Sequence, residues 1–160
     1  LSHNIHEGGI LRTSRSPVDA PALAERAEAY VRRLLDHLDY VGVLALELFV
    51  CGDELLANEF APRVHNSGHW TIEGSETSQF ENHLRAVTNQ PLGSTTSIGH
   101  AGMINLIGTI PETARSRRDG YLHDYGKDPR PGRKLGHITV TAETAADRDK
   151  LIDIISQSVT

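Results

Sequence analysis

Residues 42–60 read as a pair of strands, 42–50 and 55–60. Val43, Ala45, Glu47 and Phe49 fall on one side of an extended chain, and Leu44, Leu46, Leu48 and Val50 on the other, because successive strand residues point to opposite faces. A second extended run, 55–60, comes after Gly52-Asp53-Glu54, a composition that turns one antiparallel strand into the next. With those three residues as the loop, Glu47 lies directly opposite Glu59, their Cβ atoms about 4.5–5.5 Å apart. The all-apolar face is expected to be core. Like charges so placed destabilise a sheet unless something neutralises them. Mg²⁺ would do so, since it takes hard oxygen ligands and is usually held by one or two carboxylates plus substrate phosphates. A solvated strand face carrying two exposed glutamates would account for the same spacing. Asn58 points away from Glu59 and reaches its side only if the strand twists or bulges there.

The residues after Glu59 add chemistry. The strand ends at Pro62, and Arg63, His65, Asn66, Ser67 and His69 then place a guanidinium, two imidazoles, an amide and a hydroxyl within seven residues. A guanidinium forks onto carboxylate or phosphate oxygens, and an imidazole donates to an oxyanion or takes a proton near neutral pH. A second stretch, Tyr125-Gly126-Lys127-Asp128-Pro129-Arg130-Pro131-Gly132-Arg133-Lys134, is basic and stiffened by two prolines, while its glycines permit close approach to a ligand.

The remaining chain supplies scaffold. Residues 2–6 and 10–14 read as a hairpin about Glu7-Gly8-Gly9, and 20–38 as a helix with Asp19 as N-cap, its leucines facing the sheet that carries Glu47 and Glu59. Arg26 reads as solvated. A helix begins at Ser75 or Thr77 and ends near Thr88-Asn89, with Gln79, Asn82 and His83 on its surface; 91–96 is a linker. Short strands at 103–108, 120–125 and 137–142 precede a helix over 145–157. The fold class is therefore α+β. Asn105 has no evident task.

Net charge of −5 argues against nucleic acid as the main partner, and the positive charge is concentrated locally, as a small anion would require. No apolar run reaches the length of a membrane span, and the start of the chain has no basic-then-apolar signal pattern. A lone cysteine, Cys51, forms no internal disulfide and fits a reducing compartment. The cytoplasm is the expected location.

The order of Glu47, Asn58, Glu59 and APRVHNSGHWT, with SQFENHLRA at 78–86 and the YGKDPRPGRKLGHITV run, resembles the 5-(carboxyamino)imidazole ribonucleotide synthases, ATP-grasp enzymes of de novo purine synthesis. The carboxylate pair is shared across ATP-grasp enzymes; the RVHNSGHW and YGK…RPGRK strings are far narrower. The resemblance implies that 1–92 form the C-terminal half of an ATP-grasp domain, an antiparallel sheet with packed helices, and 93–160 a small β-rich domain ending in a helix. It implies ATP as substrate and Mg²⁺ on Glu47 and Glu59. His6, in Asn4-Ile5-His6, Asn58 and Glu59 would contact ATP. Arg63 and His65 would be catalytic, with Asn66 and Ser67 assisting in substrate binding. Lys127, Arg130 and Arg133 would hold the ribonucleotide 5′-phosphate, with Arg130 and Lys134 weaker candidates than the other two. Bicarbonate and 5-aminoimidazole ribonucleotide complete the substrate set, and a homodimer is expected of the full-length enzyme. Family members are considerably longer, with an upstream α/β domain and a glycine-rich phosphate loop not found in this sequence. The chain is thus expected to be part of a larger polypeptide and to turn over nothing by itself. The competing readings are a formate-dependent glycinamide ribonucleotide transformylase, which shares the acyl-phosphate chemistry, and a non-catalytic nucleotide-binding module.

Overall fold

A computed structural model describes residues 1–159. In chain order the elements are β1 (His3–Glu7), β2 (Ile10–Ser16), α1 (Pro21–Leu38), β3 (Ala45–Cys51), β4 (Glu54–Ala61), a 3-10 turn at Asn66–Gly68, α2 (Thr71–Gly74), α3 (Gln79–Val87), β5 (His100–Ile107), α4 (Glu112–Arg115), β6 (Tyr121–Asp124), β7 (Lys134–Ala142) and α5 (Ala145–Val159). The α+β expectation holds, and two sheets carry it. One is five-stranded in the order β1-β2-β5-β7-β6, all pairs antiparallel; the other is the β3-β4 hairpin alone. The five-stranded sheet takes β1 and β2 from 1–92 and β5, β6 and β7 from 93–160.

The core lies between that sheet and α5. Ile104 and Leu106 of β5, Ile138 and Val140 of β7, and Ile152 and Ile155 of α5 are almost fully buried together with Ala114 of α4. Strand alternation puts each pair on one face, and the spacing of three in α5 returns to the same side of a helix. Gly102 lets α5 seat, since a Cβ there would lie 2.5 Å from Ile152. The opposite face of β5 and β7 carries Asn105 and His137, paired across the strands and also buried. That polar face points toward α2 and the loop after β4.

Several boundaries move. The cap of α1 is Ala20, with no side-chain bond, rather than Asp19. Arg26 donates to the Asp53 carbonyl instead of standing in solvent. The N-cap of α3 is Ser78, whose Oγ accepts from the Glu81 N–H at 3.2 Å, and a separate short helix, α2, holds Thr71–Gly74. The apolar face of β3 is not core: Leu46 and Leu48 are half-buried, and Val50 is 59% exposed. Helix α1 lies along β4, but no third strand joins the hairpin among the described residues, so a two-stranded ribbon has too little neighbouring surface to bury both faces.

Candidate functional site

The turn of the β3-β4 hairpin is shorter than the sequence suggests, yet the two glutamates still meet. Cys51 pairs with Glu54, leaving Gly52-Asp53 as a two-residue turn with Gly52 at positive φ, and this register continues to Leu48 opposite Ala57. Continued regularly, it would set Glu47 against Asn58. A β-bulge intervenes, so that Glu47 faces Glu59 and Asn58 is the extra residue. A bulge reverses the alternation locally and re-aims side chains. Asn58 Nδ2 accordingly donates to Glu47 Oε2 at 3.3 Å.

His65 completes the cluster. One ligand-capable atom from each of Glu47, Glu59 and His65 lies within 4.8 Å of the others, and His65 Nε2 stands 3.8 Å from Glu47 Oε1. Two carboxylates aimed at one point fit a hard divalent cation well, whereas an imidazole nitrogen suits softer metals than Mg²⁺. His65 Nδ1 meets Ser67 Oγ at 2.9 Å, which fixes the ring's plane. Burial pushes the His65 pKa below the usual value, with Glu47 pulling the other way and Arg63 and Lys134 adding to the depression. The ring is therefore neutral near pH 7 and available to donate or accept.

Asn66 forms a reciprocal amide pair with Asn105: Asn105 Nδ2 donates to Asn66 Oδ1 at 2.6 Å, and Asn66 Nδ2 donates back at 3.1 Å. Asn105 also donates to the Leu11 carbonyl. This is the task that its sequence context does not reveal: it ties the loop to β5 and β2. Lys134 Nζ also reaches Asn66 Oδ1, at 3.4 Å. A second bulge explains its direction. Gly136 opposes Leu106 while Lys134 opposes Ile107, which turns Lys134 onto the face of His137. Burial lowers the Lys134 pKa, opposed by Glu47 and reinforced by Arg63 and Lys127.

The other basic residues stay outside. Lys127 and Arg130 are exposed and Arg133 is half-buried; Lys127 Nζ sits 5.0 Å above the Tyr125 ring, and Arg133 donates to the Asp128 carbonyl at 3.2 Å. Their loop is rooted by Tyr125, whose hydroxyl meets His137 Nδ1 at 2.8 Å. Burial raises the Tyr125 pKa to about 12 and lowers that of His137 to about 3, so the phenol donates and the imidazole accepts. His137 stacks on His123 at 4.4 Å, and His123 Nε2 meets Glu73 Oε1 at 2.7 Å. Arg63 is exposed, its guanidinium donating to the Val64 carbonyl at 3.1 Å. His6 is exposed on the edge strand β1, beside a third bulge, between Ile5 and His6.

Residues read as helix surface are structural. Asn82 is buried and bonds both the N–H and the carbonyl of Gly93. His83 Nδ1 accepts from the Val43 N–H at 3.1 Å, and Gln79 bonds the His65 main chain. Helical spacing alone could not identify them, because each faces a loop rather than another element.

This arrangement matches known proteins on both sides of the chain. A model of the ATP-grasp domain matches residues 1–80, and one of the phosphoribosylaminoimidazole carboxylase C-terminal domain matches residues 101–150. An N5-carboxyaminoimidazole ribonucleotide synthase of Pseudomonas aeruginosa is 54% identical over 153 residues, covering 94% of this chain and 41% of that protein. The crystal structure of N5-carboxyaminoimidazole ribonucleotide synthetase from Thermus thermophilus superposes with a TM-score of 0.94 at 54% identity, over 99% of this chain and 45% of that one. N5-carboxyaminoimidazole synthase from Aspergillus clavatus, solved in complex with ADP and 5-aminoimidazole ribonucleotide, gives a TM-score of 0.91 at 33% identity, over 99% and 46%. The chain spans about two fifths of the length of the curated relatives it matches.

Proposed function

The chain belongs to the ATP-grasp family, and on that footing we propose that it serves in an enzyme that uses ATP and bicarbonate to carboxylate the amino group of 5-aminoimidazole ribonucleotide. The observation that carries this reading is the Glu47–Glu59 pair facing across a bulged hairpin with His65 beside it, in a sequence about half identical to synthases of that name. Glu47 and Glu59 would hold Mg²⁺, which supplies charge neutralisation for phosphates drawn together. A bicarbonate oxygen attacks the γ-phosphorus, ADP leaves, and the substrate amine then captures the carboxyl carbon as phosphate departs and the amine loses a proton.

The chain's own residues mainly position and neutralise, as phosphoryl transfer demands. Arg63 meets the charge developing on the transferred phosphate or carboxylate. His65, neutral and held by Ser67, orients the intermediate or takes the amine proton. Lys134, drawn in by the second bulge, adds a cation to the carboxylate side of the site. Asn66 presents its remaining amide hydrogen, and Lys127, Arg130 and Arg133 form the basic rim where a ribonucleotide phosphate would dock. His6 and Asn58 would face the nucleotide. The division into 1–92 and 93–160 belongs to this reading and is supported by the separate family matches. A homodimer rests on the family alone, and a cytoplasmic location on a lone cysteine that fits a reducing compartment. Among the described residues no helix is long and apolar enough to cross a membrane.

The test is turnover by the protein at its full natural length. Magnesium-dependent ATP hydrolysis stimulated by 5-aminoimidazole ribonucleotide with bicarbonate supports the synthase. Stimulation by glycinamide ribonucleotide with formate replaces it with the transformylase, and nucleotide binding without turnover reduces it to a binding module.

A further inference from the structure

Between the end of β4 and the 3-10 turn the loop that carries Arg63 and His65 has no regular partner, yet His65 is held in extended conformation at φ −124 and ψ 148. One side chain supplies the missing partner. Gln79, at the start of α3, accepts the His65 N–H on Oε1 at 3.0 Å and donates from Nε2 to the His65 carbonyl at 2.7 Å. It thereby bonds both main-chain groups of one residue, as a neighbouring strand would. The second Nε2 hydrogen goes to His69 Nδ1 at 2.9 Å. Both amide hydrogens are then used, and the orientation of the amide is dictated by the backbone, since only the oxygen can accept from the His65 N–H.

The anchor is itself anchored. The Gln79 N–H donates to Thr71 Oγ1 at 3.0 Å, and that hydroxyl donates to the Gly68 carbonyl at 2.6 Å. Space is tight: a Cβ on Gly68 would lie 2.7 Å from Gln79 Oε1. Because Nδ1 of His69 accepts, its proton sits on Nε2. The ring packs at 5.0 Å from Phe80 and 5.3 Å from His137, and burial takes its pKa down to about 4. His69 remains a neutral acceptor throughout the physiological range.

We propose that Gln79 is a positioning residue for the reaction at His65, acting through the His65 main chain and the His69 ring while itself touching neither nucleotide nor metal. This rests on the proposed carboxylation site. Its hydrogen bonds go to His65, His69 and Thr71, not to the glutamates of the hairpin, so nucleotide binding and His65 placement are separable.

The experiment uses Gln79→Glu in the protein at its full natural length. The substitution is nearly isosteric and keeps the acceptor for the His65 N–H, but it turns an oxygen toward the His65 carbonyl. The expected result is a fall in kcat of roughly a hundredfold, the scale of a small misplacement of a reacting group, with KM for ATP and the affinity for ADP changed by less than about threefold. Gly68→Ala, which leaves both functional groups intact and displaces the Gln79 amide by contact, is expected to reproduce the same split. A readout independent of turnover is the ¹⁵N shift of the His69 ring: protonated on Nε2 in the native protein, and on Nδ1 as well in Gln79→Glu, with its pKa raised from about 4. The proposal is overturned if kcat in both variants stays near native, if ADP affinity falls in step with kcat, or if His69 titrates unchanged. Absence of aminoimidazole-ribonucleotide-dependent turnover in the native protein would instead sink the functional reading, while the His69 titration still decides whether Gln79 holds the His69 ring as an acceptor.

Discussion

The β3-β4 hairpin and the five-stranded sheet handle polar groups in opposite ways. On the hairpin, Glu59 and Asn58 are exposed, Glu47 is partly so, and the two strands would be marginal as a folding unit without the helix alongside. In the sheet, Asn105, His137 and Thr139 are buried, and the first two take their places in hydrogen-bonded chains that reach Asn66 and Tyr125. The hairpin can present uncompensated charge because water and ligand can reach it; the sheet pairs Asn105 and one ring nitrogen of His137 internally but leaves His137 Nε2 and Thr139 Oγ1 without a hydrogen-bond partner among the described residues, and a buried unpaired donor costs on the order of 1–3 kcal/mol. Binding chemistry and folding energy are thus carried by different layers, and His65 stands where they meet.

The largest effect should sharpen that separation. Glu59→Gln is expected to lower nucleotide-dependent turnover by about a thousandfold, given several kcal/mol of metal-assisted charge stabilisation, while the urea midpoint stays put or rises, because a facing like charge is removed. Lost stability of the same size would break the comparison. Ile155→Ala tests the other layer: about 2–5 kcal/mol of stability should vanish with a fully buried side chain, and the folded fraction should bind ADP as before.

Acid titration comes next. His69 and His137 are neutral in the fold, with pKa values of about 4 and about 3 against 6.5 when exposed. The unfolded chain therefore binds more protons, and stability is full above about pH 6.5 and declines as pH falls toward 4. By pH 5 the loss should reach about 2 kcal/mol for each histidine, measured by urea denaturation at a series of pH values. A flat profile would mean that these rings are not buried as described. The smallest effect is on the hairpin again: Asn58→Ala removes one exposed hydrogen bond to Glu47 and should weaken ADP binding by about fivefold, near 1 kcal/mol.

Much of the fold is legible in the sequence because it rests on periodicity. The strand runs, the leucine-rich first helix and the final helix all lie within a few residues of their expected limits, and the narrow loop strings point to the family that the domain match supports. Gln79, Asn82 and His83 escape such a reading because helical spacing separates apolar from polar faces but says nothing of a polar side chain that meets a loop. The leucines of the hairpin suggest a core face, yet burial depends on what lies opposite, and alternation carries no information about that.

By itself the sequence determined where strands and helices form, that acidic and basic groups concentrate in two stretches, and which family those stretches fit, since all of these follow from local residue preference and order. The tertiary structure alone decided which side chains converge. Three bulges, beside His6, between Glu47 and Leu48, and between Lys134 and Gly136, each reverse the two-residue alternation on which any reading of a strand depends. One extra residue in a ladder changes which face a carboxylate or an ammonium occupies, and whether that residue is accommodated is settled by the pairing strand and the layer beneath it.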